Sequence, residues 1–145
     1  MKGMSLIVRE VTKLVAGFIF VYGIYIVLYG HLTPGGGFVG GVILACSFIL
    51  LMLAFGKNFM DHVIKPWSLT VGDCVGALGF LLVALLGLIG GAFFLNFLAH
   101  PGDFRLLSGG AIPLSNIAIG VKVSACLAGV FVALSIFRGV RSGKE

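Results

Sequence analysis

Charged residues are scarce in this chain. Only 10% of its 145 residues are charged, 59% are hydrophobic, and the mean hydropathy is +1.17. A soluble domain has about 25% charged residues, so this composition excludes an ordinary water-soluble fold. We therefore expect a multi-pass protein of the cell membrane.

Cysteines are also few and widely separated. Cys46, Cys74 and Cys126 form no closely spaced pair, so neither a metal motif nor a disulfide framework is indicated. We interpret them as small packing residues of the membrane spans. The polar residues form no constellation of nucleophile, base and oxyanion donors, and we expect no catalysis, metal or cofactor in this chain by itself.

Long apolar runs dominate the sequence instead. Their approximate spans are residues 14–30, 38–55, 72–98 and 114–137. These lengths are near the ~20 residues that a helix needs to cross a hydrocarbon core. The runs lack the alternation of barrel strands, and a helix satisfies its own backbone hydrogen bonds in lipid. The prediction is an all-α integral membrane protein, one domain over residues 1–145 with four transmembrane helices.

Basic residues are distributed unevenly around these spans. Eight of the ten lysines and arginines lie before the first span, between the second and third, or after the fourth. Arg105 lies in the opposite loops, and Lys122 lies inside a span. The positive-inside rule then places both termini in the cytoplasm, N-in and C-in. The net charge of +5 reflects this topology and gives no reason to expect a nucleic-acid partner.

A glycine-rich segment, GHLTPGGGFVGG at residues 30–41, separates the first two spans. Pro34 and Gly35 to Gly37 suit a tight reversal, because proline presets its φ and glycine tolerates positive φ. Two overlapping small-xxx-small pairs enter the second span, Gly36 with Gly40 and Gly37 with Gly41. Such pairs let another helix approach closely. Packing within the chain and contact with other subunits both remain open for this surface.

Two charged residues stand in or near predicted spans. Lys122 lies about six residues inside the uninterrupted part of the fourth apolar run, which begins at Ile117. An ammonium at this depth is usually paired, faces a wet cavity or serves an ion path, although its tilt toward the helix N-terminus also permits snorkelling. Asp73 comes near the cytoplasmic start of the third span, where the helix dipole favours a carboxylate. We therefore expect Lys122 and Asp73 to lie toward opposite membrane faces.

The outer loops hold the other polar candidates. His31 either relays protons, since imidazole exchanges protons near neutral pH, or caps a helix. Asn116 stands where an N-cap of the fourth helix is expected. Asn96 is expected to satisfy loose backbone groups near the outer loop. The predicted topology separates His31 and His100 from His62, so the three histidines form no common metal site.

Three segments carry a specific combination of motifs: YGHLTPGGGFVGGVI (29–43), GGAFFLNFL (90–98) and SGGAIPLSNIAIGVKV (108–123). Together they resemble the MnhB/MrpB-like subunit of the multisubunit Na⁺/H⁺ antiporters of the Mrp or Mnh type. That family also supplies modules to membrane-bound hydrogenases and related respiratory complexes that share ancestry with complex I. The resemblance implies a large hetero-oligomer whose other membrane subunits are partners and whose transported ions are Na⁺ and H⁺.

The resemblance also carries over particular residues. It points to His31, Pro34, Phe38, Asn116, Gly120 and Lys122 as characteristic positions. In such assemblies the large subunits hold most proton-pumping residues, while small subunits line, brace or complete a cation path. We therefore take Lys122, His31 and Asp73 as candidates for an ion or proton path. The structural or interface motif comprises Pro34, Gly35, Gly36, Gly37, Phe38, Gly40, Gly41, Asn116 and Gly120.

The predicted function is a non-catalytic membrane subunit that supports cation and proton translocation and assembly of its complex. Two alternatives remain open. One is a self-sufficient small four-helix transporter, although such exporters rely on an acidic residue within the membrane. The other is a purely structural scaffold subunit, in which Lys122 variants would fail only through misassembly.

Overall fold

The computed structural model describes residues 4–56, 66–96 and 109–142, and all regular structure in these ranges is helical. The helices are α1 (Leu6–Tyr29), α2 (Gly36–Phe55), α3 (Pro66–Ile89) and α4 (Ile112–Ser142). Each of the four contains a stretch long and apolar enough to cross a membrane. The prediction of an all-α protein with four helices able to span a membrane is therefore confirmed for the described residues.

The bounds of α3 and α4 differ from the spans read from apolar runs. α3 begins at Pro66 rather than residue 72 and ends at Ile89, well before residue 98. Proline is favoured in the first helical turn, where its missing N–H has no helical partner. At the other end, Gly91 has φ 100° and Phe94 has φ 61°, so the chain turns although it stays apolar. Residues 97 and 98 lie outside the described ranges.

The helices pack as a row with α2 and α4 in its centre. α1 packs on α2, α2 packs on α4, and α4 packs on α3, with a smaller contact between α1 and α4. Among the described helices, α3 contacts α4 alone. The buried apolar residues are mostly alanines, namely Ala16, Ala45, Ala54, Ala84, Ala111 and Ala128. Small residues allow close approach in lipid, where apolar burial does not drive helices together.

The glycine-rich segment forms the tight link between α1 and α2. Gly35 and Gly36 have φ 143° and 65°, as the predicted need for positive φ requires. The backbone N–H and the hydroxyl of Thr33 donate to the Tyr29 carbonyl oxygen at 2.9 and 3.0 Å, which closes the end of α1. Pro34 is exposed on this turn, and Phe38 points outward from the start of α2.

Glycines of α2 allow this helix to pack closely against both α1 and α4. Gly37, Gly40 and Gly41 are buried. A Cβ added at Gly40 would collide with Val27 of α1, and one at Gly41 would lie 2.8 Å from the Gly120 carbonyl oxygen of α4. The glycine surface is therefore used for packing within the chain at these positions, which favours the first of its two interpretations.

Candidate ion-path site

An ion pair joins α3 and α4. Lys122 Nζ donates to Asp73 Oδ1 at 2.7 Å. The two backbones approach closely beside it, since a Cβ added at Gly76 would lie 2.7 Å from Lys122 Cβ. The prediction that these two charges lie toward opposite membrane faces is therefore wrong.

The helix starts explain why the charges meet. Asp73 lies seven residues after Pro66 and Lys122 ten residues after Ile112, which at 1.5 Å per residue is ~10 Å and ~15 Å along antiparallel helices. Asp73 is thus beyond the first turn of α3, and the helix dipole does not account for its position. Lys122 lies deeper in its helix than six residues, and its ammonium binds Asp73 instead of extending along α4 toward the start of that helix.

The pair is only half covered by this chain. The side chains of Lys122 and Asp73 are 46% and 39% exposed. A second ion pair, Lys13 with Glu10, has the same 2.7 Å distance but joins residues of one helix near the start of α1. The two pairs share only this distance. Lys122 lies ten residues after the start of α4, inside a helix that is long and apolar enough to cross a membrane, where exposed charge is unfavourable.

A groove of about 350 Å³ lies beside Asp73 between α3 and α4. Asp73 and Thr70 contribute oxygen-bearing side chains to its lining, and several of the α4 residues there are small. The lining residues are Leu69, Thr70, Asp73, Ala125, Cys126, Gly129, Val132, Ala133 and Ile136. We refer to these residues as the α3–α4 groove. A groove of this size can hold water molecules or side chains next to the carboxylate.

Thr70 and Cys126 are groove residues whose position beside Asp73 was not predicted from the sequence. Thr70 lies three residues before Asp73 and therefore on the same helical face, a spacing that could have identified it. Cys126 was interpreted as a packing residue, but Cys46, Cys74 and Cys126 are all exposed on this chain. The three cysteines are therefore not buried within this chain, and their interpretation as small packing residues of the spans stays a prediction.

Asn116 lies near the start of α4, beside the glycine link between α1 and α2 and away from the ion pair. It is the fifth residue of α4, so the prediction that it is the N-cap is wrong. The reason is that α4 begins at Ile112, where Pro113 is tolerated in the first turn. Asn116 instead packs against the glycine link: a Cβ at Gly37 would collide with its carbonyl oxygen, and one at Gly30 would lie 3.0 Å from its Nδ2.

His31 and Asn96 contact the turn that leads into α4. A Cβ added at Gly109 would lie 3.0 Å from His31 Cδ2. Asn96 donates to the Gly109 carbonyl oxygen at 3.1 Å and accepts from the Ala111 N–H at 2.8 Å. The predicted role of Asn96 in satisfying backbone groups is therefore confirmed.

The structure thus separates the three ion-path candidates into two places. Asp73 and Lys122 are in contact, whereas His31 lies beside the start of α4, about three turns from Lys122. His62 and His100 fall outside the described ranges.

Four apolar helices and a charged pair bridging two of them define a multi-pass membrane protein with an ionic group at membrane depth. The particular family follows from a match over most of the chain. Residues 7–129 match the family described as "Domain related to MnhB subunit of Na+/H+ antiporter". The chain belongs to this MnhB family, and the resemblance to the MnhB/MrpB-like subunit of the antiporters is confirmed.

Individual relatives agree with this assignment. The chain is 42% identical over 123 residues to an uncharacterized protein of Methanocaldococcus jannaschii, a match that covers 78% of this chain and 45% of that protein. It is 36% identical over 98 residues to a Staphylococcus aureus protein provisionally named antiporter subunit mnhB2, covering 66% of this chain and 67% of that one.

A solved structure has the same fold. It is a chain of the membrane-bound sulfane sulfur reductase, an archaeal respiratory membrane complex, with a TM-score of 0.75 and 35% identity. The match covers 87% of this chain and 56% of the solved one. The chain therefore spans about half the length of this solved relative and of the Methanocaldococcus protein.

Proposed function

We propose that this chain is a non-catalytic membrane subunit of a multisubunit Na⁺/H⁺ antiporter, or of an ion-translocating redox complex with a related module. Its partners are other membrane subunits and the lipid bilayer, and the transported ions are Na⁺ and H⁺. Family membership supports the class of complex. The single observation that carries a direct part in translocation is the Asp73–Lys122 ion pair at membrane depth.

The pair supplies a switchable electrostatic element. Lys122 carries a permanent positive charge. Asp73 neutralises this charge when no ion is present. A cation or proton that reaches the Asp73 carboxylate from an adjoining wet channel competes with the ammonium, and its departure restores the pair. In the low dielectric of the membrane this competition is strong, because charges a few ångströms apart interact far more than in water. Occupancy of a neighbouring ion path is thereby coupled to the position of one lysine side chain.

The orientation proposed for this subunit has both termini in the cytoplasm. The support is the distribution of basic residues, eight of which flank the spans on the side that holds the termini. In this orientation the glycine link between α1 and α2 and the turn before α4 both face outward. Asp73 then lies in the cytoplasmic half of α3.

The test is Lys122→Ala in the assembled complex, measured as Na⁺-dependent collapse of a pH gradient in inverted membrane vesicles. We expect exchange to fall roughly tenfold or more, because removal of the fixed charge changes ion occupancy in a medium of low dielectric. Lys13→Ala is the matched control, since it breaks a lysine–carboxylate pair of equal length that lies within one helix. This control should retain normal exchange.

The outcomes separate the alternatives. Unchanged exchange with normal assembly would remove Lys122 from the mechanism. A loss of exchange that only parallels the loss of assembled complex would identify a structural scaffold subunit. Exchange by the purified chain alone in liposomes would show a self-sufficient transporter and contradict the subunit proposal.

A further inference from the structure

Within the described residues, the ion pair between α3 and α4 does not use all of its hydrogen-bonding groups. Asp73 uses one carboxylate oxygen and Lys122 one of its three N–H groups in their mutual contact. Both side chains are partly exposed, at 46% for Lys122 and 39% for Asp73, and Asp73 lines the α3–α4 groove. Lipid tails offer neither donors nor acceptors, so a charged pair at this depth needs a further polar group.

The α3–α4 groove is long enough for one helix. It extends from the level of Asp73 to Ile136, and on α4 it spans residues 125–136, about 16 Å or three turns at 1.5 Å per residue. Ala125, Gly129 and Ala133 recur at intervals of four along it. A Cβ added at Gly129 would meet no atom within 4 Å, so this part of the surface is open.

We infer that the α3–α4 groove is the docking surface for one transmembrane helix of a different subunit, which carries an uncharged polar side chain level with Asp73 and Lys122. The inference rests on the proposed function, since it requires a complex. An amide, hydroxyl or imidazole complements the pair because it both accepts from the ammonium and donates to the carboxylate, while the pair itself has no net charge. Aliphatic side chains on either side of that residue fill the apolar remainder of the groove.

Two copies of this chain that are related by symmetry about the α3–α4 groove do not fill it. In such a pair the groove of one copy would face the groove of the other. Both grooves are lined in part by small residues, so the space between the two copies would stay unfilled. A helix from another subunit presents a ridge of side chains, which is what close packing requires.

The test uses a photo-reactive benzophenone amino acid in the purified complex, placed at Cys126 or Ala133. Leu78, which is 64% exposed on α3 and does not line the groove, is the control position. We expect both groove positions to capture one transmembrane segment of a different subunit, with a polar residue within one turn of the residue captured from Cys126. Leu78 should not capture that segment.

A blocking variant gives a second readout. Gly129→Trp fills the groove without a predicted clash at its Cβ, and Gly17→Trp on α1 is its matched control because a Cβ at Gly17 also meets no atom within 4 Å. At equal abundance of the chain, Gly129→Trp should lose most of the product cross-linked from Ala133, and Gly17→Trp should retain it.

The failures are distinguishable. Capture of lipid alone, of a second copy, or of a segment without a polar residue would overturn the inference, and so would an unchanged product with Gly129→Trp. In each of these cases the proposed function stands if the other subunits still purify with the chain. If no other subunit purifies with it, the proposed function itself fails.

Discussion

A lysine ammonium and an aspartate carboxylate that meet inside a membrane depend on each other. Removing Asp73 leaves Lys122 as an uncompensated charge in a medium of low dielectric, and removing Lys122 does the same to Asp73. Replacing both by neutral residues of similar shape leaves no such charge. The structural and the functional contribution of the pair can therefore be separated by experiment.

Asp73→Asn or Lys122→Gln alone should reduce the abundance of the chain in the membrane severalfold, because one charge stays unpaired and the destabilised chain is degraded. The double variant Asp73→Asn with Lys122→Gln should return abundance close to that of the unaltered chain. Quantitative immunoblots of the membrane fraction measure this. If the pair acts in translocation, the double variant will still lack normal exchange.

Independent effects of the two substitutions would contradict the contact itself. In that case the losses of abundance would add, as they do for residues that do not touch. Glu10→Gln with Lys13→Gln provides the comparison, since this exposed pair lies within one helix and its members should contribute little.

The sequence identified both members of the pair as candidates but did not predict their contact. The apolar runs locate the most hydrophobic part of each helix. The first turns of α3 contain Ser68 and Thr70, and these polar residues made the start of the helix resemble a loop in the sequence. That error moved Asp73 to the end of the helix, at one membrane face. The depth of a charge in a membrane depends on helix ends, which hydropathy locates least well.

At the scale of the elements, α2 is the helix with a glycine face on two sides. Gly40 faces Val27 on α1, while Gly37 and Gly41 face Asn116 and Gly120 on α4. These contacts are backbone to backbone or backbone to small side chain. A glycine-to-alanine substitution at these positions adds a methyl group that forces the neighbouring helices apart, because closely packed interiors have low compressibility.

Gly40→Ala should destabilise the protein by about 1–3 kcal/mol, the usual penalty of overpacking. The thermal midpoint of the complex in detergent should fall by several degrees. Gly17→Ala is the control in the same kind of helix, and it should leave the midpoint unchanged or slightly higher, because its Cβ meets nothing within 4 Å and alanine favours helix. Equal shifts for the two variants would show that Gly40 is not closely packed.

The elements themselves could largely be predicted. Run length indicated the helices, and the run from Gly35 to Gly37 indicated a turn with positive φ, which Gly35 and Gly36 adopt. What the sequence could not supply was the choice of neighbours. Small-residue faces occur on α2, α3 and α4 alike, so the pattern does not say that α3 packs on α4 and that α2 lies between α1 and α4.

At the scale of the whole molecule, most large apolar side chains point outward. Phe18, Leu78 and Ile89 are examples, and Ile89 is 84% exposed. This arrangement is the reverse of a soluble core and suits a chain surrounded by lipid and by other membrane subunits. The family match and the solved relative in a respiratory membrane complex agree with such surroundings.

The proposed orientation has a direct test. Fusions of green fluorescent protein and of alkaline phosphatase to each terminus should give fluorescence and no phosphatase activity at both ends, because the first folds in the cytoplasm and the second is active outside it. The charge distribution supports this expectation. Phosphatase activity at either end would contradict it, and activity at only one end would also require an odd number of spans.

The row of helices has a consequence for biogenesis. α1 and α2 are synthesised first and can pack on each other as soon as both have left the ribosome. α3 emerges before α4, the helix on which it packs in the described part of the chain. Until then the Asp73 carboxylate lacks its lysine counter-ion. The newly made third span therefore has to be sheltered by the insertion machinery, or stay near its edge, until the last quarter of the polypeptide has been translated.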